Sequence, residues 1–417
     1  MAQTAPGMER LSNGIMTTVP LGVYISVPFC RTKCSYCNFA SDVFSRAVFE
    51  RYVDRVCSDI ANAERDAADM GGKFEREVDS IYLGGGTPTV LEPAQLQRLF
   101  DAVRSQFSVT RDAEVTVECA PGTLSSPLLE ALLRCGVNRV SLGVQSFVDR
   151  EAAAVGRLHK HATVLEDIAH LRAAGISNIN IDLIAGLPHQ SSESWQQSLQ
   201  QLIATEVPHA SIYMLEVDDD SRLGRELIAG GTRYHAHFVP DDDATADFYL
   251  VACEMLNAAG VSQYEISNFS RPGFESRHNL KYWTRQPYLG FGVDAHSMLL
   301  SPPVRLATAD ALEKYVSGSP LQQTPVSSDA ALEETFFLGL RLNRGVDLAR
   351  VAEQFGHPAL VPLQPIMADL EKAELLERSE NSIRLTKRGR LLSNEVFQHF
   401  LIPDPRSLAP ALVTPSV

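Results

Sequence analysis

Tyr24-Ile25-Ser26-Val27-Pro28-Phe29-Cys30-Arg31-Thr32-Lys33-Cys34-Ser35-Tyr36-Cys37-Asn38-Phe39-Ala40-Ser41 decides how the chain is read. A β-branched run ends in three cysteines, Cys30, Cys34 and Cys37, separated by three residues and then by two. Three thiolates hold three irons of a cubic iron–sulfur cluster and leave the fourth iron open to another ligand. The gaps differ from the even two-residue gaps of bacterial ferredoxins. They also lack the second pair of ligands that a structural zinc site needs. With 7 cysteines in 417 residues, chance gives these offsets in about one chain in five hundred, so coincidence is a poor reading.

The bulk numbers fit this chemistry. Hydrophobic residues make up 45% and charged residues 21%, as in an ordinary globular protein of two or three domains. The formal charge of −14 argues against a dedicated nucleic-acid binder. No apolar run approaches a membrane span, and residues 1–20 lack a secretory pattern and read as a flexible tail. An odd cysteine count suits a reducing, cytoplasmic compartment. Cys57, Cys119, Cys135 and Cys253 lie on apolar-patterned segments and read as small buried hydrophobes.

Outward from the cysteine loop, a β/α alternation runs to about Val217. Strands are expected at Val23–Phe29, Asp79–Gly84, Glu114–Cys119, Arg139–Gln145, Asn178–Ile184 and Ala210–Val217, with amphipathic helices between them. Six β/α units predict a parallel sheet in an open, partial (β/α)6 barrel, since a closed barrel takes eight. Ligands gather at the carboxyl ends of such strands, and the unusual residues follow that rim. The cysteines come after the first strand, Gly84-Gly85-Gly86-Thr87-Pro88 after the second, Glu118 closes the third and Gln145 the fourth. We divide the chain into a tail (1–20), the partial barrel (21–220), a connecting region (221–326) and a mostly helical, winged-helix-like domain (327–417). In the connecting region Tyr264–Phe269 is expected as a strand; in the last domain Leu376–Leu385 is expected as a hairpin and Thr386–His399 as one last helix capped by Thr386.

The cysteine loop resembles that of radical S-adenosylmethionine (SAM) proteins. Within that superfamily it is similar to the coproporphyrinogen dehydrogenase group, and most closely to its HemW-type haem chaperones. The resemblance runs from Tyr24 to about Leu401. It implies a [4Fe–4S] cluster on Cys30, Cys34 and Cys37, with SAM chelating the open iron. One electron from the cluster then cleaves a carbon–sulfur bond, while the protein orients the reactants and excludes water. Alone, the glycine run fails the dinucleotide and phosphate-loop patterns and reads as a turn. The resemblance implies that Gly85, Gly86 and Thr87 meet SAM's amino group. Glu118, an acid inside an apolar strand, needs a partner; by resemblance that partner is SAM. Tyr24, Tyr36, Gln145, Arg157 and Asp182 also match SAM-contacting positions.

Two features discriminate within the group. Coproporphyrinogen dehydrogenases carry a further cysteine two places after the third, where this chain has Phe39; HemW-type chaperones show the same loss. The second feature is His278-Asn279-Leu280-Lys281-Tyr282-Trp283. It matches the HNxxYW motif of HemW-type proteins, whose histidine is implicated in haem binding. Read for its chemistry, His278 offers an axial imidazole, Tyr282 and Trp283 offer stacking faces, and Arg271, Arg277 and Arg285 offer propionate partners. His296 is a lesser candidate.

The expectation is a cluster- and SAM-binding haem chaperone, cytoplasmic with peripheral membrane contact. It takes haem as cargo, is fed by a reductant protein, and passes haem to a membrane respiratory protein. The rival is a radical SAM coproporphyrinogen III dehydrogenase, with Phe39 against it. A third reading, an iron–sulfur DNA-binding regulator, rests on the winged-helix-like tail and the Lys387, Arg388, Arg390 cluster.

Overall fold

The computed structural model describes residues 8–10 and 16–401. The expected tail therefore lies outside the described residues at 1–7 and 11–15, as do the last residues of the expected C-terminal domain, 402–417. Met8–Arg10 and Met16–Thr18 pair as a short antiparallel ribbon. By internal contacts the chain forms two units. One comprises residues 1–282 and 286–325, the other 283–285 and 326–417.

Alternation within the strands builds the first unit. Strands β1 (Leu21–Val27), β2 (Glu77–Gly85), β3 (Ser108–Cys119), β4 (Arg139–Gln145), β5 (Asn178–Ala185) and β6 (His209–Met214) lie side by side and parallel. One set of alternates is apolar and buried: Val23, Ile25, Val27; Ile81, Leu83; Val115, Val117; Val140, Leu142; Ile179, Ile181; Ala210, Ile212. A fully buried valine or leucine contributes about 1.5–3 kcal/mol, so this set fixes the register against a one-residue slip. Long amphipathic helices follow, including α1 (Arg46–Asp69), α2 (Pro93–Gln106) and α3 (Ser126–Arg134). Next come α4 (Asp149–Ala154), α5 (His161–Ala173) and α6 (Ser192–Ala204).

The other alternates are polar, and they bond to one another. Ser141 Oγ donates to Asp182 (3.0 Å), and Asn180 Nδ2 donates to Asp182 (2.7 Å) and Ser211 (3.0 Å). His209 Nδ1 meets Asn180 Oδ1 at 2.6 Å. The concave face is thus a polar lumen with few empty hydrogen-bond positions, which buried polar groups require.

The expected connecting region supplies further strands of the same sheet. They are β7 (Ser262–Gln263), β8 (Asn268–Ser270), β9 (Tyr288–Phe291), β10 (His296–Leu300), β11 (Pro303–Ala307) and β12 (Gln322–Pro325). The sheet order is β12-β11-β10-β9-β1-β2-β3-β4-β5-β6-β8-β7, open at both ends. The partial barrel expected from six units is therefore present, with β9 as a seventh parallel strand beside β1. The single strand expected over Tyr264–Phe269 is instead a tight turn between β7 and β8. There the Glu265 carboxylate accepts from the Ser267 N–H (3.0 Å) and from the Asn268 side chain. Among the described residues, no helix is long and apolar enough to cross a membrane.

The second unit holds α11 (Ser328–Gly339), α12 (Leu348–Phe355), α14 (Leu363–Lys372) and a small sheet. In that sheet the hairpin Leu376–Ser379 and Ser382–Leu385 pairs with Val346–Asp347. Thr386 does cap, accepting from the Gly389 N–H at 2.9 Å. The expected last helix is broken into Lys387–Leu391 and Ser393–Gln398, because Leu392 (φ −106°, ψ 32°) leaves the helical region.

Candidate functional site

The cysteine loop is held by contacts that need no metal. Lys33 Nζ donates to the carbonyls of Phe39 (3.0 Å) and Ser41 (2.6 Å), fastening the loop to its own end. Thr32 Oγ1 reaches the Gly156 carbonyl (3.0 Å), and the Ser35 N–H reaches that of Val155 (3.2 Å). Tyr36 packs on the apolar cluster of Val155, Ile184 and Leu187. Thr87 Oγ1 points at Cys30 Sγ (3.8 Å), and Arg157 directs one nitrogen to Cys34 Sγ (3.6 Å) and another to the Gly143 carbonyl. The three sulfurs sense one another, since Cys34 and Cys37 add to the burial that raises the Cys30 thiol pKa.

No three His, Cys, Asp or Glu side chains among the described residues are gathered tightly enough for a single metal ion. Three free thiols with hydroxyl and guanidinium donors facing sulfur suit a cluster. The expected buried cysteines separate from this set. Cys119 and Cys135 are sealed, with thiol pKa values pushed up by burial to about 12 and about 11, while Cys57 and Cys253 are half-buried.

The glycine run forms a shelf beside the loop. The N–H groups of Gly86 and Thr87 donate to the carbonyls of Val27 and Phe29, each at 2.8 Å. A Cβ on Gly86 would stand 2.8 Å from both oxygens, so only glycine fits. Gly85, at φ 99°, gives its N–H to Glu118 Oε2 (3.1 Å). With these N–H groups committed internally, the three amides are not donors for a ligand.

Glu118 stands behind the shelf. Its Oε1 accepts from the Tyr82 hydroxyl at 2.8 Å. Burial pushes its carboxyl pKa up to about 7; Asp182 adds to the rise, and Tyr82, Gly85 and Arg139 oppose it. Burial also raises Asp182. Gln145 ends β4 in the left-handed region (φ 69°), the kind of strain found at functional sites. Gly143 leaves room for its amide and for Arg157, since a Cβ there would meet each at 3.1 Å. The Tyr24 hydroxyl faces Gly85, and its ring lies 6.2 Å from that of Tyr82. One rim thus carries all of Tyr24, Tyr36, Gly85, Gly86, Thr87, Glu118, Gln145, Arg157 and Asp182 with the cysteines. Tyr82 belongs to the same constellation and was missed, because a tyrosine alternating with apolar residues looks like ordinary strand packing.

His278 lies below that constellation, its ring 6.4 Å from that of Tyr24 and 5.5 Å from that of Tyr82. Helix α9 (Arg277–Trp283) meets the amino-terminal parts of β1 to β3, at the opposite end from the cysteines. The Glu114 carboxylate accepts the N–H groups of Arg277 and His278, each at 3.1 Å, and Lys281 pairs with Asp79 at 2.8 Å. His278 is fully buried, with Nδ1 3.0 Å from Ser80 Oγ and Nε2 2.8 Å from the Tyr282 hydroxyl. Burial, then Lys281 and Arg139, lowers its pKa to about 3, so the ring is neutral.

The haem platform expected from this motif is therefore not presented: both ring nitrogens are committed. Tyr282 packs edge-on against His278 and Tyr288, and Trp283, in the second unit, lies under Arg341 (4.2 Å). Arg277 binds Asp112 and the Asp79 carbonyl, and Arg285 pairs with Glu334 at 2.8 Å. Arg271 is exposed on the surface, as is His296, 3.9 Å from Asp294.

Comparison with known proteins gives the same frame. Residues 24–202 match the radical SAM superfamily, and residues 326–392 match the HemN C-terminal domain. The heme chaperone HemW of Bacillus subtilis is 34% identical over 385 residues, 91% of this chain and 98% of that protein. The heme chaperone HemW of Escherichia coli is 32% identical over 389 residues, 92% and 98% of the two. In fold, the chain resembles the solved coproporphyrinogen III oxidase (HemN) of Escherichia coli, with a TM-score of 0.78 at 24% identity, covering 91% of this chain and 90% of that one. The superfamily's [4Fe–4S] cluster and SAM, which supply one-electron chemistry when bound, fit the three thiols and the Glu118 shelf described above. With these motifs on one rim and such identity along nearly the full length, the chain belongs to the HemW family of radical SAM proteins.

Proposed function

We propose that this protein is a haem chaperone that carries a [4Fe–4S] cluster on Cys30, Cys34 and Cys37 and binds SAM along the rim. It binds haem as cargo and delivers it to a haem-requiring protein, a membrane respiratory acceptor. It works in the cytoplasm, meets the membrane peripherally during delivery, and takes electrons from a reductant protein. The relatives named heme chaperone HemW, matched over nearly their whole length, carry the reading. Phe39 supports it: where a porphyrinogen-oxidising site needs a fourth cysteine, the side chain is an inert ring, 64% exposed at the mouth of the loop. The contacts of His278 assign it to the barrel floor, so ligation through it requires that Tyr282 release Nε2.

The test is an anaerobic haem titration of reconstituted protein with and without SAM, followed by transfer to an apo-acceptor. Saturable binding and transfer are expected. The likeness of fold to the oxidase favours one rival, so the same preparation is given coproporphyrinogen III, SAM and reductant. Formation of protoporphyrinogen would overturn the chaperone reading.

A further inference from the structure

The lumen contains a cation that the site as described does not use. Arg139 begins β4 and is 2% exposed, and its Nε has no hydrogen-bond partner among the described residues. A buried guanidinium without its hydrogen bonds costs several kcal/mol on the order of a lost ion pair, so its retention calls for an electrostatic reason.

Its position supplies one. In register, Arg139 stands opposite Thr116 on β3, and Ser141 stands opposite Glu118. Residues two apart share a face, so Glu114 and Glu118 flank Arg139 diagonally on the lumen side. On β5, Asp182 stands opposite Gly143, also on that face. Glu114 is committed to the backbone of α9. That leaves Glu118 and Asp182 as the anions above the guanidinium. Arg139 acts electrostatically on both, and also on Tyr82, His209, Tyr264 and His278. The remaining groups facing Glu118 and Asp182 are Tyr24, Tyr213, Glu265 and, over Gly143 on the same face, Arg157. Burial holds the tyrosines and the two histidines neutral, while Arg139 is a cation that lowers both carboxyls.

We propose that Arg139 is a positioning residue for the SAM site, a sealed guanidinium on the lumen face that opposes the protonation of Glu118 and Asp182 and so favours their charged forms when a cationic ligand arrives. The lumen face thus sets the acids Glu118 and Asp182 against the guanidiniums of Arg139 and, over Gly143, Arg157. SAM, with a sulfonium, an ammonium and a carboxylate, carries one positive charge. Without Arg139, two buried acids in one lumen compete, and one takes a proton at neutral pH. A protonated Glu118 gives up half its acceptor capacity. This inference rests on the reading that Glu118 binds SAM.

SAM affinity is measured across pH on anaerobically reconstituted wild type, Arg139→Gln, Arg139→Lys and Glu118→Gln. In Arg139→Gln the affinity falls about tenfold near pH 7 and recovers by about pH 9, one pKa unit being a factor of ten. Arg139→Lys keeps the wild-type profile, and cluster absorbance is the same in all four. An Arg139→Gln profile that follows wild type, while Glu118→Gln binds weakly, overturns the inference alone. Wild-type affinity in Glu118→Gln overturns the SAM assignment beneath it. If Arg139→Gln does not fold, difference infrared spectra of wild type against Glu118→Gln decide the matter near pH 8. An ionised Glu118 upholds the inference and a protonated one overturns it.

Discussion

The Tyr82 hydroxyl donates to Glu118 across 2.8 Å, tying the centre of β2 to the ligand end of β3. Both side chains lie on the lumen face, and the bond opposes the burial that drives Glu118 towards protonation.

The first prediction follows from that carboxyl. Its folded pKa, about 7, stands above the ordinary value of 4.5, so the folded chain keeps a proton that the unfolded chain has released. The stability it contributes is full below the ordinary value and is lost as pH rises through about 7. Glu118→Gln removes this loss. In ligand-free protein, denaturant unfolding near pH 8 should show the variant more stable by about 1–3 kcal/mol, with the difference vanishing near pH 4. Tyr82→Phe shifts the carboxyl further up and should weaken SAM binding several-fold at neutral pH, with recovery in alkali.

His278 predicts the opposite pH dependence. Its folded pKa, about 3, lies below the ordinary 6.5, so its stabilisation is present above 6.5 and is lost as pH falls towards 3. Circular dichroism should show acid unfolding beginning below about pH 6. His278→Ala leaves Ser80 and Tyr282 without their ring partner and should cost about 2–4 kcal/mol. Tyr282→Phe frees Nε2 without opening the floor, so haem affinity should be unchanged. A marked rise would show that iron reaches the ring.

Cys34→Ala should abolish the cluster's visible absorbance while far-ultraviolet dichroism stays near wild type, because hydrogen bonds from Lys33 and Thr32 hold the loop. Cys119→Ala, at a thiol sealed in the core, should keep the absorbance.

Gly86→Ala places a methyl against two backbone oxygens that cannot rotate away. It should displace Phe29 and lower cluster occupancy along with SAM affinity. Gly175→Ala is the control. Its Cβ meets nothing within 4 Å, and its φ of 91° leaves only local strain, about 1 kcal/mol, with iron content unchanged.

The strands, the open barrel and the position of the cysteine loop on its rim were legible because each is local: period-two alternation, intervening helices and a cysteine spacing. The lumen was not. Its residues, such as Ser80, Arg139, Asn180 and His209, are isolated polar positions in sequence and acquire meaning only when the strands align them. Strand β9 was hidden because four residues beginning after a proline carry too little periodicity. The HNxxYW motif was legible as a motif but not as a place. Its chemistry suits a porphyrin, yet nothing in six residues says that the neighbouring Ser80 and Glu114 bind them from within. Arg139 escaped notice because an arginine opening a strand is ordinary until its neighbours prove to be acids.

The backbone clamp of Gly86 and Thr87 on Val27 and Phe29 couples two parts of the rim mechanically. It joins the glycine shelf to the cysteine loop through backbone amide groups. A displacement on either side of this clamp is therefore passed to the other through the main chain.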